Sequence, residues 1–267
     1  MNPASPAIVA WKLQRNVVFA LFIRELKARF GHFRLGYLWA VGEPVAMVAV
    51  LSAIRLALGN ADIAGVPYPL FFASAIIPFF FFQTTVNQCL LAVENNIPLL
   101  NYRIVKPADP VIARCLLELF IYTATGFLII GGLVCLGFTF RWNDTLGVIA
   151  VMSCLGAFTL GLSLLVAVSG ALMHDSKKVV PILIRPFFFI SGIFFAASSL
   201  PSGIRELLLW NPLLHVSELI REYMFADYQS HEGSLGFLFT TSLASLFLGL
   251  ATYRTNRIRL TTSGQIR

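Results

Sequence analysis

The chain alternates between long apolar runs and short clusters of charge. Uncharged stretches cover Ile63–Val93, Leu119–Phe140, Thr145–Met173, Pro186–Ile204 and Gly233–Tyr253. Each is near or beyond the roughly 20 residues that cross a hydrocarbon core about 30 Å thick. One further apolar run, about 35–58, carries two charges, Glu43 and Arg55. The pattern predicts an all-α integral membrane domain with six transmembrane helices, at 35–58, 69–93, 111–138, 145–172, 179–198 and 234–253. Pro78, heading the phenylalanine run Phe79–Phe82, predicts a kink in the second span.

Before the first span the pattern changes period. Residues to about Gln14 read as an unstructured start, and 15–34 as an amphipathic helix. Val18, Phe19, Phe22, Leu26, Phe30 and Phe33 fall on one stripe, with Arg24, Lys27 and Arg34 opposite. Arg29 is the exception, a cation inside the apolar stripe. Such a helix lies in the headgroup layer, its basic side toward anionic lipid. The early apolar run Val17–Ile23 is short even for a signal-peptide core, so no cleavable leader is expected.

Two connecting segments have their own character. Residues 95–106, within ENNIPLLNYRIVKPADP, join helix-start asparagines (Asn95, Asn96) to an apolar core (Ile97, Leu99, Leu100) and stop at Pro107 and Pro110. This reads either as a plain loop or as a cytoplasmic docking element for another protein. Residues 200–232 are too charged to span and too apolar for an ordinary exposed loop. They divide at Asn211–Pro212, an N-cap followed by proline at the first helical position. With Ser202 capping the first piece, two short amphipathic re-entrant helices are expected on the outer face, dipping into the membrane rim.

Composition agrees with the pattern: 57% of residues are hydrophobic and 12% charged, outside the range of ordinary soluble domains. Placing the N-terminus inside leaves only Arg55, Arg141, Arg205 and Arg221 of the 20 basic residues on the far side. Both termini are therefore expected in the cytoplasm. The net charge of +7 is then a topology signal, and no basic face on a soluble fold invites nucleic acid. The cysteines (Cys89, Cys115, Cys135, Cys154) sit in or beside apolar spans without CxxC spacing and read as small hydrophobes.

Charges inside spans are costly and need a reason. Glu43, Glu118 and Arg185 each lie about two turns into a span from the cytoplasmic side. They read either as an internal ion-pair layer, Arg185 with Glu43 or Glu118 and Arg114 with Glu118, or as a site meeting an anionic head group or sugar. Arg185 opens the aromatic run RPFFFISGIFF, which suits a slippery sugar path and equally a lipid-facing helix. The sequence has no GxxxxGK[ST], GxSxG or HExxH, so no ATP site and no recognised hydrolase site is expected. The scattered histidines predict no metal site.

RELKARFGHFRLGYLWAVGEP, the ENNIPLLNYRIVKPADP loop, RPFFFISGIFF with its downstream Leu200–Pro201, and NPLLHVSELIREYMF together resemble permease subunits of ABC-2-type polysaccharide exporters, most closely the capsular type. The resemblance runs from about residue 17 to 255. It implies a homodimer bound to two copies of a separate ATPase subunit, which holds ATP and Mg so that this chain needs no cofactor. It implies a lipid-linked polysaccharide carried from cytoplasm to periplasm across a bacterial inner membrane, with periplasmic and outer-membrane export proteins beyond. Asn95, Asn96, Leu99, Leu100, Asn101 and Arg103 would contact the ATPase. Arg34, Tyr37 and Trp39 would lie at the cytoplasmic entry. Glu43, Arg55, Glu118, Arg185, Phe187, Phe188 and Phe194 would line the path, and Arg205, Trp210, His215 and Arg221 its periplasmic exit. O-antigen and teichoic-acid exporters share this architecture. The rivals of another class are an integral-membrane glycosyl- or acyltransferase, using Glu43, Glu118 or His174–Asp175, and a channel or secondary transporter, for which no internal repeat is visible.

Overall fold

The computed structural model describes residues 6–30, 36–59, 62–100, 102 and 104–262. They form a mostly helical bundle: α1 (Pro6–Phe30), α2 (Gly36–Ala57), a two-stranded hairpin β1 (Asp62–Ile63) and β2 (Val66–Pro67), α3 (Tyr68–Cys89), a 3-10 turn at Glu94–Asn96, α4 (Ile97–Leu100), α5 (Asp109–Cys135), α6 (Thr145–Leu172), α7 (Ser176–Ile184), α8 (Phe187–Ile190), α9 (Ser202–Leu208), α10 (Pro212–Met224) and α11 (Leu235–Thr262). Four of these, α3, α5, α6 and α11, are long and apolar enough to cross a membrane by length and composition.

Helix α3 is the centre of the bundle. Phe71, Phe72, Ala73, Ala75, Ile76 and Phe81 are wholly buried, and the helix runs through Pro78 as one element. Around it, α5 runs antiparallel, with the Thr84 and Tyr122 hydroxyls 2.8 Å apart. Helices α6 and α11 lie side by side in the same direction. Ser242 donates to the Cys154 carbonyl at 2.8 Å and Ser245 to that of Phe158 at 2.9 Å. The pair closes on glycine: a Cβ on Gly161 would strike the Ser245–Leu246 backbone, and one on Gly249 would strike Gly161. Without a hydrophobic drive between helices in lipid, close small-residue packing and interhelical hydrogen bonds hold such a pair.

These directions gather the chain's connections at two ends. One end carries the close of α3, the turn at Glu94–Asn96, α4, the start of α5, the α6–α7 turn and the end of α11. Cys89, Val93, Val111, Val168 and Leu260 pack together there. The opposite end carries the hairpin, the α5–α6 turn, α9 and α10. The hairpin turns on Ala64 and Gly65, both at positive φ, as a two-residue turn matched to strand twist requires. At that end Asp144 caps α6, accepting from the backbone N–H groups of Leu146 and Gly147 at 2.9 and 3.1 Å.

The structure revises several expected boundaries. Helix α1 begins at Pro6, so most of the start expected to be irregular is helical. The span expected at 179–198 is not one helix: α7 ends at Ile184, α8 is four residues, and 191–196 is irregular. Pro186 follows Arg185 at the break, and Gly192 takes φ +70° beyond α8, a conformation open to glycine and closed to helix. Ser202 is the first residue of α9, and the cap position belongs to Pro201, with no side-chain cap bond. Asn211 does cap α10, accepting from the Leu213 N–H at 3.0 Å, with Pro212 in the first turn.

Candidate docking and transport surfaces

At the basic end, α1 is fastened to α5 by polar pairs set eleven and four residues apart along α1. Gln14 bonds Asp109, Glu25 pairs with Arg114 at 3.5 Å, and Arg29 pairs with Glu118. Leu21, on the same face, is buried. This explains the cation that breaks the apolar stripe, because Arg29 sits on the face turned to protein. Its partner Glu118 is wholly buried. The expected pairing of Arg114 with Glu118 is replaced. Arg114 instead meets Glu25 and donates to the Gln88 carbonyl, because the packed α1 supplies a second set of charges. Arg185 and Glu43 are both exposed and form no ion pair among the described residues.

The segment read as a docking element is a 3-10 turn running into one turn of helix, α4. Asn95 is exposed, and Leu99 and Leu100 are half-buried on its surface. Asn96 faces the other way. It is wholly buried, accepts from Arg24 of α1, and donates to the Ala92 carbonyl at 2.7 Å. Its side chain therefore holds α1 and is not presented to a partner. Lys177 in the first turn of α7 reaches Glu94, beside a cavity of about 230 Å³ lined by Ile97, Gly170 and His174. The turn at Glu94–Asn96 is thus bonded to α7 and to α1. Asn101 and Arg103 lie outside the described residues, as does Arg34. Tyr37 and Trp39 belong to the first turn of α2, and their side chains also lie outside what is described.

Along the expected path, Arg55 lies over the Tyr68 ring at 5.4 Å near the far end of α2. Phe188 and Phe194 join an aromatic wall: Phe188 meets Phe79 at 5.5 Å and Phe194 at 5.1 Å, and Phe194 meets Phe72 at 5.6 Å. Phe187 and Phe189 are exposed on α8. This wall backs the broken segment with rigid aromatic packing and leaves Arg185, Phe187 and Phe189 facing outward.

The expected exit residues divide into two groups. Arg205 pairs with Glu232 at 2.9 Å, half-exposed, and Trp210 is exposed. His215 and Arg221 are buried in α10, whose whole first face is core. The Arg221 guanidinium donates to the carbonyls of Phe71, Ile193 and Phe195 at 3.3, 3.3 and 3.4 Å, and lies 3.4 Å over the Phe71 ring. Glu218, one turn before, accepts from the Ala197 N–H, Tyr228 and Ser230 at 2.9, 3.0 and 2.6 Å. Together they satisfy irregular backbone where water is scarce, as a membrane protein must. Burial lowers the His215 pKa, and its ring is held neutral: Nε2–H donates to the Leu209 carbonyl at 2.7 Å and Nδ1 accepts from the Ser234 N–H at 2.9 Å. Glu218, Tyr228, Ser230 and Glu25 were not singled out by sequence reasoning. For Glu218, the spacing of three to Arg221 on α10 was the one visible signal.

A helical bundle with four helices long and apolar enough to cross a membrane, among the described residues, is of the membrane-protein class by length and composition. The family model for ABC-2 type transporters matches residues 16–225. The chain belongs to that family. It is 40% identical over 253 residues to the polysialic acid transport protein KpsM of Escherichia coli, covering 95% of this chain and 98% of the relative. The capsule polysaccharide export inner-membrane protein BexB of Haemophilus influenzae is 26% identical over 238 residues, covering 89% and 90%. The O-antigen export system permease protein RfbA of Klebsiella pneumoniae is 21% identical over 238 residues, covering 88% and 90%.

Proposed function

We propose that this chain is the membrane permease subunit of an ATP-driven exporter that carries lipid-linked capsular polysaccharide from cytoplasm to periplasm. The likeness to KpsM over nearly the whole chain carries this reading. The lower identity to the O-antigen permease ranks capsule above O-antigen as cargo.

In this reading two copies of the chain assemble with two copies of an ATPase subunit, which binds ATP and Mg. The chain sits in the bacterial inner membrane with both termini cytoplasmic. The spans α3, α5, α6 and α11 are joined by α2 as the first crossing and by α7, α8 and the segment to Ala196 as the fifth, which gives six. Helices α9 and α10 stand at the periplasmic end. Asn95, Leu99 and Leu100 on the α4 turn meet the ATPase, with Asn101 and Arg103 beside them. Closure of the ATPase on ATP pushes this turn, and Asn96–Arg24 and Glu94–Lys177 pass the movement to α1 and α7. Arg34, Tyr37 and Trp39 serve the cytoplasmic entry. Glu43, Arg55, Arg185 and Phe187 face the conduit between protomers, where arginine meets phosphate or acidic sugar. Glu118, His215 and Arg221 act as scaffold, while Arg205 and Trp210 remain at the exit. Periplasmic and outer-membrane export proteins receive the polymer.

Co-expression with the cognate ATPase subunit tests the assembly. A complex that co-purifies in equal proportions and hydrolyses ATP is the expected result. A permease that never associates with the ATPase, in detergent or nanodiscs, would sink the reading.

A further inference from the structure

The outward face of α1 forms a groove against α5. Trp11, Val18, Phe19 and Phe22 line it with Leu116 of α5, and Arg15 stands at its rim, in a cavity of about 530 Å³. The lining is apolar, with Trp11 and Phe19 both largely exposed. Leu116 is seven residues into α5, a membrane-spanning helix, so the groove opens about 10 Å along that helix. That is the depth at which headgroups give way to acyl chains. Water leaves such an apolar recess readily, and the molecules that surround it at this depth are bilayer lipids.

The charges select among lipids. Arg15 lies 5.6 Å over the Trp11 ring, which sets the guanidinium beside the groove that Trp11 lines. Lys12 is exposed one turn away. Across the α1–α5 seam Glu25 pairs with Arg114 and Glu118 with Arg29, and Asp109 bonds Gln14, which also lines the groove. Arg15 and Lys12 thus set two cations at the rim against one nearby carboxylate, Asp109, whose partner among these pairs is an amide.

We infer that this groove is a binding site for one resident anionic phospholipid, an acyl chain lying along Trp11, Phe19 and Leu116 and the phosphate meeting Arg15. The lipid would staple α1 to α5 from the outside, opposite the polar pairs that hold it from within. The site depends on the membrane placement of α5 and not on the ATPase or the cargo, so it stands or falls apart from the exporter reading.

The test uses the full chain with Trp39, Trp142 and Trp210 replaced by phenylalanine, so that Trp11 alone reports. The protein is placed in phosphatidylcholine nanodiscs containing rising fractions of brominated phosphatidylglycerol or brominated phosphatidylcholine. Trp11 quenching by the anionic lipid is expected to saturate early, at a fraction about fivefold lower than for the zwitterionic lipid. Arg15→Gln removes that preference. Equal, unsaturating quenching by both lipids overturns the site. Native mass spectrometry of the wild-type chain provides a second reading that needs no tryptophan replacement. A retained phosphatidylglycerol adduct, lost in Arg15→Gln and in Leu116→Trp, supports the site, and no adduct or an unchanged one overturns it.

Discussion

Arg221 offers the sharpest test of how the irregular segment after α8 is held. Its side chain is wholly buried, and its guanidinium serves three backbone carbonyls, those of Phe71, Ile193 and Phe195. Replacing it by methionine keeps the volume and removes every donor. The three carbonyls lie at 3.3–3.4 Å, so each bond is long; that of Phe71 keeps the Ser74 hydroxyl at 2.8 Å, and for the other two about 1 kcal/mol per orphaned carbonyl is the low end of the desolvation range. Losing the charge beside Glu218, 3.7 Å away, adds a further cost. That cost is limited because the carboxylate keeps its bonds to Ala197, Tyr228 and Ser230. The sum is about 3–5 kcal/mol, in line with breaking a buried pair. At roughly 2–4 °C per kcal/mol for a chain near this size, Arg221→Met should lower the apparent Tm by roughly 6–20 °C. Arg221→Lys retains the charge, but one ammonium cannot reach three carbonyls, and about half the loss is expected. Intrinsic-fluorescence melting of the purified protein in one detergent measures both. A methionine variant melting with the wild type, or a lysine variant lower than methionine, would refute the clamp.

Arg29→Ala leaves Glu118 buried without its partner and should cost about 2–3 kcal/mol, below the range for a fully buried pair because Arg29 is about a quarter exposed. The exchange Arg29→Glu with Glu118→Arg should recover part of that loss, and purely additive losses would show the two are uncoupled. Gly161→Leu should force α6 and α11 apart and abolish stable expression, because the new side chain meets backbone and not a movable side chain. Unchanged yield and melting would contradict the close approach. His215 has its pKa lowered by burial, so unfolding takes up a proton below about pH 6.5. Stability is therefore full above that pH and falls as acid is added. Melting in buffers from neutral to acidic should show a slope that is reduced in His215→Gln, and an equal slope would remove His215 as the cause.

Much of the bundle could be read in the chain. The uncharged runs locate α3, α5, α6 and α11, since a span must hide its backbone in one continuous helix and show few charges. Asn211–Pro212 marks α10 to the residue, because a cap is a local bond. What was hidden depends on tertiary neighbours. Arg24 read as turned to lipid and Arg29 as an exception in the apolar stripe, yet they turn toward Asn96 and Glu118. No periodicity within α1 names partners some 70 to 90 residues away. The run Pro186–Ile204 is apolar enough to span but is broken, since its prolines and Gly192 act on the backbone and leave hydropathy untouched. Helix α10 read as amphipathic and superficial, but its Glu218 and Arg221 are buried because the irregular backbone beside it needs them. The polar residues expected to line an exit therefore separate into scaffold and surface only in three dimensions.

The central claim is that this chain moves a lipid-linked polysaccharide by borrowing the ATPase of a partner. Inverted membrane vesicles carrying the chain with its ATPase subunit, supplied with ATP and labelled lipid-linked capsular polymer, test it directly. The account predicts that polymer becomes protected inside the vesicles only when chain, ATPase and hydrolysable ATP are all present. Protection at the same rate without ATP, or without this chain, would contradict it.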